Sequence, residues 1–436
     1  MYRRICDCFN RPICSAPGAW TDVLIRSSSD GNETLEFTGE KRRCLNLGSY
    51  NYLGFAAADP YCTPRVIAAL RKYGWSTNSQ GSYAGSTDLH REAERVVSEF
   101  LGVEDVLIYG MGFATNSLTI PLLMGKGCLV LSDEFNHKSI VEGIRHSGSK
   151  VKVFRHNDMT HLEQLLRSSI AHGQPRTRRP WKKVVIIVEG IYSMEGEFCP
   201  LNEVVALKKK YKAYLYLDEA HSIGAIGKTG RGVCQHFGVD PRDVDVMMGT
   251  FTKSFGSCGG YIGGPKGLVD YVKRTSPGTC YAVPMAPPCT EQIISSMGLI
   301  DGKDGTSRGR DKVASLHRNA NYFRRELALK GFQVLGDIDS PVMPVLIYHS
   351  AKISAFSRMC LANNLALVVV GFPATGLFLT RARICISAAH SVADLNYALE
   401  IITRHGTLCG FRYFGDLADK GLIQIPDALQ PQVLGL

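Results

Sequence analysis

From Val106 to Gly264 the chain alternates short apolar runs with longer stretches of helical period. Val106-Leu107-Ile108-Tyr109, Cys128-Leu129-Val130-Leu131, Val151-Lys152-Val153-Phe154, Val184 to Val188, Tyr214-Leu215-Tyr216-Leu217 and Val244 to Met248 read as strands. The segment Leu201 to Lys212 reads as a helix between two of them. Near-continuous apolar strands separated by helices predict a mostly parallel sheet covered on both faces. In such sheets ligands bind beyond the carboxyl ends of the strands.

A Gly-rich, charged stretch, Asp301-Gly302-Lys303-Asp304-Gly305, reads as a surface link. Beyond it come a helical pattern over Lys312 to Lys330, short strands, and a final helix near Val392 to His405. The expected division is an N-terminal segment 1–47, a large domain 48–305, a small α+β domain 306–414 and a tail 415–436.

Composition narrows the function classes. The chain has 436 residues, 45% of them hydrophobic, enough for a large buried core. Its net charge of +10 is scattered, with short runs such as Lys208-Lys209-Lys210. No basic stripe or aromatic-basic motif is present, so nucleic acid is not the expected partner. The 14 cysteines are dispersed and lack zinc spacing, so no metal site is expected. Met1-Tyr2-Arg3-Arg4 does not open a secretory leader, which predicts reduced thiols facing the cytosol. No stretch reaches the roughly 18 apolar residues that span a bilayer. A membrane surface is still accessible to such a chain.

The chemistry gathers at strand ends. Asp218-Glu219-Ala220-His221 follows the strand Tyr214 to Leu217, and a carboxylate there can pair with the protonated ring nitrogen of pyridoxal phosphate. The same carboxylate could instead cap the next helix. Downstream lies Gly249-Thr250-Phe251-Thr252-Lys253-Ser254-Phe255-Gly256. A lysine among hydroxyls and glycines suits an imine-forming amine, with Thr250 and Thr252 available to a phosphate. Gly110-Met111-Gly112-Phe113 opens a helix and offers N–H groups to an anion. His137 follows another strand at the same sheet edge. In Arg381-Ala382-Arg383, strand alternation puts both guanidinium groups on one face, where either could hold a carboxylate or pair at the surface.

Together these motifs resemble the α-oxoamine synthases, fold-type I pyridoxal-phosphate enzymes that condense an amino acid with an acyl-CoA. The resemblance runs from about Leu45 to about His390. Its narrowest part, in Val188 to Gly196, Gly249 to Gly260, Asp339 to Pro344 and Arg11-Pro12-Ile13, is similar to the lysine-bearing (long-chain-base 2 type) subunits of eukaryotic serine palmitoyltransferase. The resemblance implies that Lys253 forms the Schiff base with pyridoxal 5'-phosphate. It further implies that Asp218 pairs with the ring nitrogen, His221 contacts the ring hydroxyl and His137 stacks on the ring. Gly112, Phe113, Thr250 and Thr252 would serve the phosphate and ring, and Arg383, with Asn51, the substrate. L-serine and palmitoyl-CoA are the implied substrates. The implied partner is a long-chain-base 1 type subunit in a heterodimer, or a second copy, at the cytosolic face of the endoplasmic reticulum membrane.

Three features depart from the family pattern. Ser79-Gln80-Gly81-Ser82-Tyr83 stands where Ser-Thr-Arg is common, and Tyr281 to Ala286 replaces a Ser- or Thr-rich turn. The sequence also begins close to Arg11-Pro12-Ile13, which suggests a shortened form or a subunit held at the membrane by its partner. The alternatives are an α-oxoamine synthase using glycine or alanine, and a cofactor-binding subunit with little activity of its own.

Overall fold

The computed structural model describes residues 2–430, so the end of the expected 415–436 tail lies outside the described residues. The chain forms two compact units. One comprises Asp59–Tyr192 and Phe198–Arg310; the other comprises the residues before Asp59, Ser193–Glu197 and those from Asp311 on.

In chain order the strands are β1 (Trp20–Ser27), β2 (Glu36–Asn46), β3 (Asp105–Tyr109), β4 (Leu129–Asp133), β5 (Lys150–Phe154), β6 (Val184–Glu189) and β7 (Tyr214–Asp218). They continue with β8 (Val246–Thr250), β9 (Gly260–Gly264), β10 (Val342–Leu346), β11 (Leu365–Ala366), β12 (Val368–Val370) and β13 (Arg381–Cys385).

The first unit is built on a seven-stranded sheet of order β3-β9-β8-β7-β6-β4-β5. The pairs from β8 through β7, β6 and β4 to β5 are parallel. β9 is antiparallel to both neighbours. On one face Leu107, Val130, Ile187, Tyr216, Met248 and Ile262 form a core with Ile120, Ile140 and Val269 of three helices. The helices Met159–His172 and Leu201–Tyr211 also pack on the sheet. Burial on both faces accounts for the unbroken apolar strands seen in the sequence.

Glycine explains how β9 fits between β3 and β8. A Cβ at Gly260 would stand 2.5 Å from the Gly249 carbonyl and 2.8 Å from Thr115 Oγ1. Only a residue without a side chain lets the backbones approach so closely.

The second unit joins distant parts of the chain. β1 and β2 form an antiparallel hairpin, and β11 adds to β2 in parallel. The three strands β10-β13-β12 form a separate sheet. Residues before Asp59 thus share a unit with those from Asp311 on. Among the described residues no helix is long and apolar enough to cross a membrane.

Candidate active site

Parallel strands end on one side of the sheet, and the loops after them carry the polar groups of the first unit. A cavity of about 190 Å³ is lined there by Gly112, Phe113, His137, Asp218, His221, Thr250, Thr252 and Lys253. Eight residues singled out in the sequence therefore share one pocket. Asn116, Ser139, Glu189, Ala220 and Met248 complete the lining.

Asp218 is the last residue of β7 and is 3% exposed. Its Oδ2 accepts from Asn116 Nδ2 at 2.8 Å, and its Oδ1 from the Ala220 N–H at 2.9 Å. Burying a carboxylate requires such donors. Asn116 also donates to Ser139 Oγ at 2.9 Å and accepts from the Tyr216 hydroxyl at 2.7 Å. One amide fixed on three sides thus aims the carboxylate.

His137 caps the helix Lys138–Ser147. Its Nδ1 accepts from the Ser139 N–H at 3.2 Å and lies 2.7 Å from Ser139 Oγ. With Nδ1 accepting, the proton of the neutral ring sits on Nε2. Burial pushes the imidazole pKa down; Asp218 opposes this and Lys253 adds to it. A neutral aromatic face is the result. The Phe113 ring meets it edge-on, with centroids 6.2 Å apart.

Glu189, the last residue of β6, accepts the His137 backbone N–H. Complete burial, reinforced by the Asp218 charge, holds its carboxyl well above the usual range. The pocket therefore pairs one carboxylate with donors and buries a second carboxyl near it, where burial and the neighbouring negative charge favour the acid.

Thr250 closes the loop that bears Lys253. Its Oγ1 donates to the Gly259 carbonyl at 2.8 Å and lies 2.8 Å from Thr252 Oγ1. Gly112 is the first residue of the helix Gly112–Leu123, and a Cβ there would stand 3.0 Å from Thr250 Oγ1. The helix start and the two hydroxyls thus form a narrow, N–H-bearing cradle suited to an anion.

Arg383 and Asn51 belong to the second unit. The Arg383 guanidinium lies 4.8 Å from the Tyr50 ring centroid, and its Nη1 is 3.6 Å from Met194 Sδ. Its buried Nε has no hydrogen-bond partner among the described residues. Arg381, on the same strand, instead donates to the Met194 carbonyl at 2.6 Å and pairs with Glu195 at 3.3 Å. Asn51 is 6% exposed; its amide donates to the Pro17 carbonyl at 2.9 Å and accepts from the Ala56 N–H at 3.1 Å.

Sequence reasoning did not assign Asn116, Ser139 or Glu189. Asn116 lies three residues beyond the Gly110 to Phe113 helix start, and an amide in the second turn of a largely apolar helix was the available signal.

Known proteins resemble the chain over most of its length. A family model described as aminotransferase class I and II matches residues 42–402. Long chain base biosynthesis protein 2d of Oryza sativa subsp. japonica is 60% identical over 414 residues, covering 95% of this chain and 85% of that protein. Serine palmitoyltransferase 2 of Dictyostelium discoideum is 50% identical over 414 residues, covering 95% and 84%. A solved structure described as SPT with PLP internal aldimine has a TM-score of 0.78 at 26% identity, covering 89% of this chain and 93% of that one.

Proposed function

The chain belongs to the class I and II aminotransferase family, and from that premise we propose that it is the catalytic subunit of a serine palmitoyltransferase. In this reading L-serine and palmitoyl-CoA condense, the serine carboxyl leaves as CO2, CoA is released, and 3-ketosphinganine (3-oxodihydrosphingosine) forms. The observation that carries the reading is the convergence of Lys253, Asp218 and His137 on one pocket.

Pyridoxal 5'-phosphate is the cofactor of this family, and the pocket residues fit it. Asp218, fixed by Asn116, offers a carboxylate to a protonated ring nitrogen. The neutral face of His137 suits an aromatic ring, and His221 is assigned to the ring hydroxyl. Gly112, Phe113, Thr250 and Thr252 are assigned to the phosphate and ring; their narrow cradle leaves no room for a side chain at Gly112 without displacing the Thr250 hydroxyl. When bound, the cofactor supplies a covalent link to an amine and an electron sink for charge left at the substrate α-carbon.

The chain's own residues supply the rest. Lys253 Nζ, as a neutral amine, removes the proton from the serine α-carbon and later returns one. Asp218 holds the positive charge on which electron withdrawal depends, and the Asn116 amide keeps it oriented. Arg383 is our proposed binder of the serine carboxylate, through a planar guanidinium able to make two hydrogen bonds. Asn51, with both ends of its amide on backbone groups, is proposed to shape the loop of that substrate site.

We infer further that the chain works beside a lysine-lacking long-chain-base 1 type subunit, at the cytosolic face of the endoplasmic reticulum membrane. The family resemblance supports this pairing.

A panel of serine, glycine and alanine with several acyl-CoAs, run with and without that partner, tests the proposal. Serine with palmitoyl-CoA is expected to give 3-ketosphinganine. Turnover of glycine or alanine with none of serine would overturn it.

A further inference from the structure

The loop that carries Lys253 is closed on itself. The Phe251 N–H donates to the Gly259 carbonyl at 3.0 Å, and the Ser257 N–H to the Phe251 carbonyl at 3.0 Å. Beyond that closure the loop is tied to the start of the helix Pro287–Ile300. Ser257 Oγ donates to the Cys289 carbonyl at 2.7 Å, and Gln292 Nε2 to the Phe255 carbonyl at 3.1 Å. Cys258 directly follows Ser257, so the Ser257–Cys289 tie brings the two cysteines side by side, close enough for each thiol to affect the other's ionisation. Cys258 is exposed and Cys289 partly so, and both are free thiols. Neither lines the pocket that holds Lys253.

Thiols brought together this way do not act independently. A thiolate on one sulfur accepts the proton of the other, so the first deprotonation becomes easier and the second harder. The Cys289 thiol draws Cys258 down to about 6, against an opposing effect of burial, while Cys289 is pushed up. Cys289 lies in the first turn of its helix, whose positive end also favours a nearby thiolate. An accessible, readily ionised cysteine beside a second thiol is the arrangement of redox-sensing pairs.

We propose that Cys258 and Cys289 form a reversible dithiol–disulfide switch that reacts with low-molecular-weight disulfides and, when closed, restrains the Lys253 loop and slows catalysis. The Cys258 thiolate attacks one sulfur of the small disulfide; a mixed disulfide forms and one small thiol leaves, taking up a proton. The Cys289 sulfur, giving up its proton, then attacks the Cys258 sulfur and displaces the second small thiol. Two protein thiols are oxidised and one small disulfide is reduced to two thiols. In a reducing cytosol the pair stays open, and it closes under oxidation. The bond would link a loop only a few residues from Lys253 to a helix packed in the core, which limits movement of that loop.

The bond itself does not depend on the proposed reaction; the slowing of catalysis rests on that reading. Incubation of the full chain, loaded with pyridoxal phosphate, with oxidised glutathione separates the two. Peptide mapping without reductant should recover Cys258 joined to Cys289, with a loss of two titratable thiols. Serine condensation should slow several-fold, as should capture of pyridoxal phosphate at Lys253 by a cofactor-free sample, and dithiothreitol should reverse both. Cys289→Ala should stop at a glutathione adduct on Cys258, and Cys258→Ala should form neither species. Absence of the linked peptide in the unmodified chain would overturn the proposal. So would a linked peptide that leaves both turnover and capture rate unchanged. A chain that forms the linked peptide but condenses no amino acid even with its partner subunit would refute the proposed function, and capture rate would then decide the switch.

Discussion

Asn116 Nδ2 stands 2.8 Å from Asp218 Oδ2 although 102 positions separate the two residues in sequence. The same amide touches Ser139, which in turn supports His137. The carboxylate and the imidazole are therefore positioned by a shared network. Such networks couple their members more strongly than isolated bonds do.

Removing the amide should be felt in catalysis. A hydrogen bond to a charged group contributes about 1.5–3 kcal/mol, so Asn116→Ala should lower kcat by roughly 10- to 100-fold. Cofactor affinity should fall with it. Steady-state kinetics and cofactor titration check this; an unchanged kcat would leave Asn116 without a positioning role.

The two arginines of β13 should respond differently. Arg383→Lys keeps the charge but loses the planar fork, so the KM for serine should rise about tenfold or more with kcat less affected. Arg381 is buried and already bound to Glu195 and the Met194 carbonyl, so Arg381→Lys should lower thermal stability instead. Measuring KM and Tm for both variants separates substrate binding from structure.

Glu219 should give the fold a pH dependence. It is fully buried, and desolvation raises its carboxyl from 4.5 to about 7 despite hydrogen bonds from Ser222 and the Val233 N–H. A raised carboxyl favours the folded state most while it is protonated in both states. That contribution is complete below about 4.5 and is lost as pH rises through about 7. The loss is on the order of 3 kcal/mol. Denaturant melts of Glu219→Gln from pH 4 to pH 8 should show a flatter profile than the natural chain; identical slopes would contradict the assignment.

The sequence made the sheet and most of the pocket legible because both are written locally. Apolar runs marked β3 to β8, and Asp218 and Lys253 each sit beside a strand end in a distinctive setting. β9 escaped notice because Gly-Tyr-Ile-Gly-Gly reads as a turn; its glycines serve close packing. The hairpin of β1 and β2 escaped because β2 is exposed for most of its length and lacks alternation. Asn116, Glu189 and the Cys258–Cys289 pair depend on what lies opposite them in space. That information is spread over strands and helices far apart in the chain.

The central claim is that Lys253 drives a serine condensation in which the carboxyl is lost. The most direct measurement is release of labelled CO2 from carboxyl-labelled L-serine by the natural chain and by Lys253→Ala, with and without palmitoyl-CoA. The account predicts release only when both Lys253 and palmitoyl-CoA are present. Release that persists in Lys253→Ala, or that never occurs with the natural chain and its partner subunit, would contradict it.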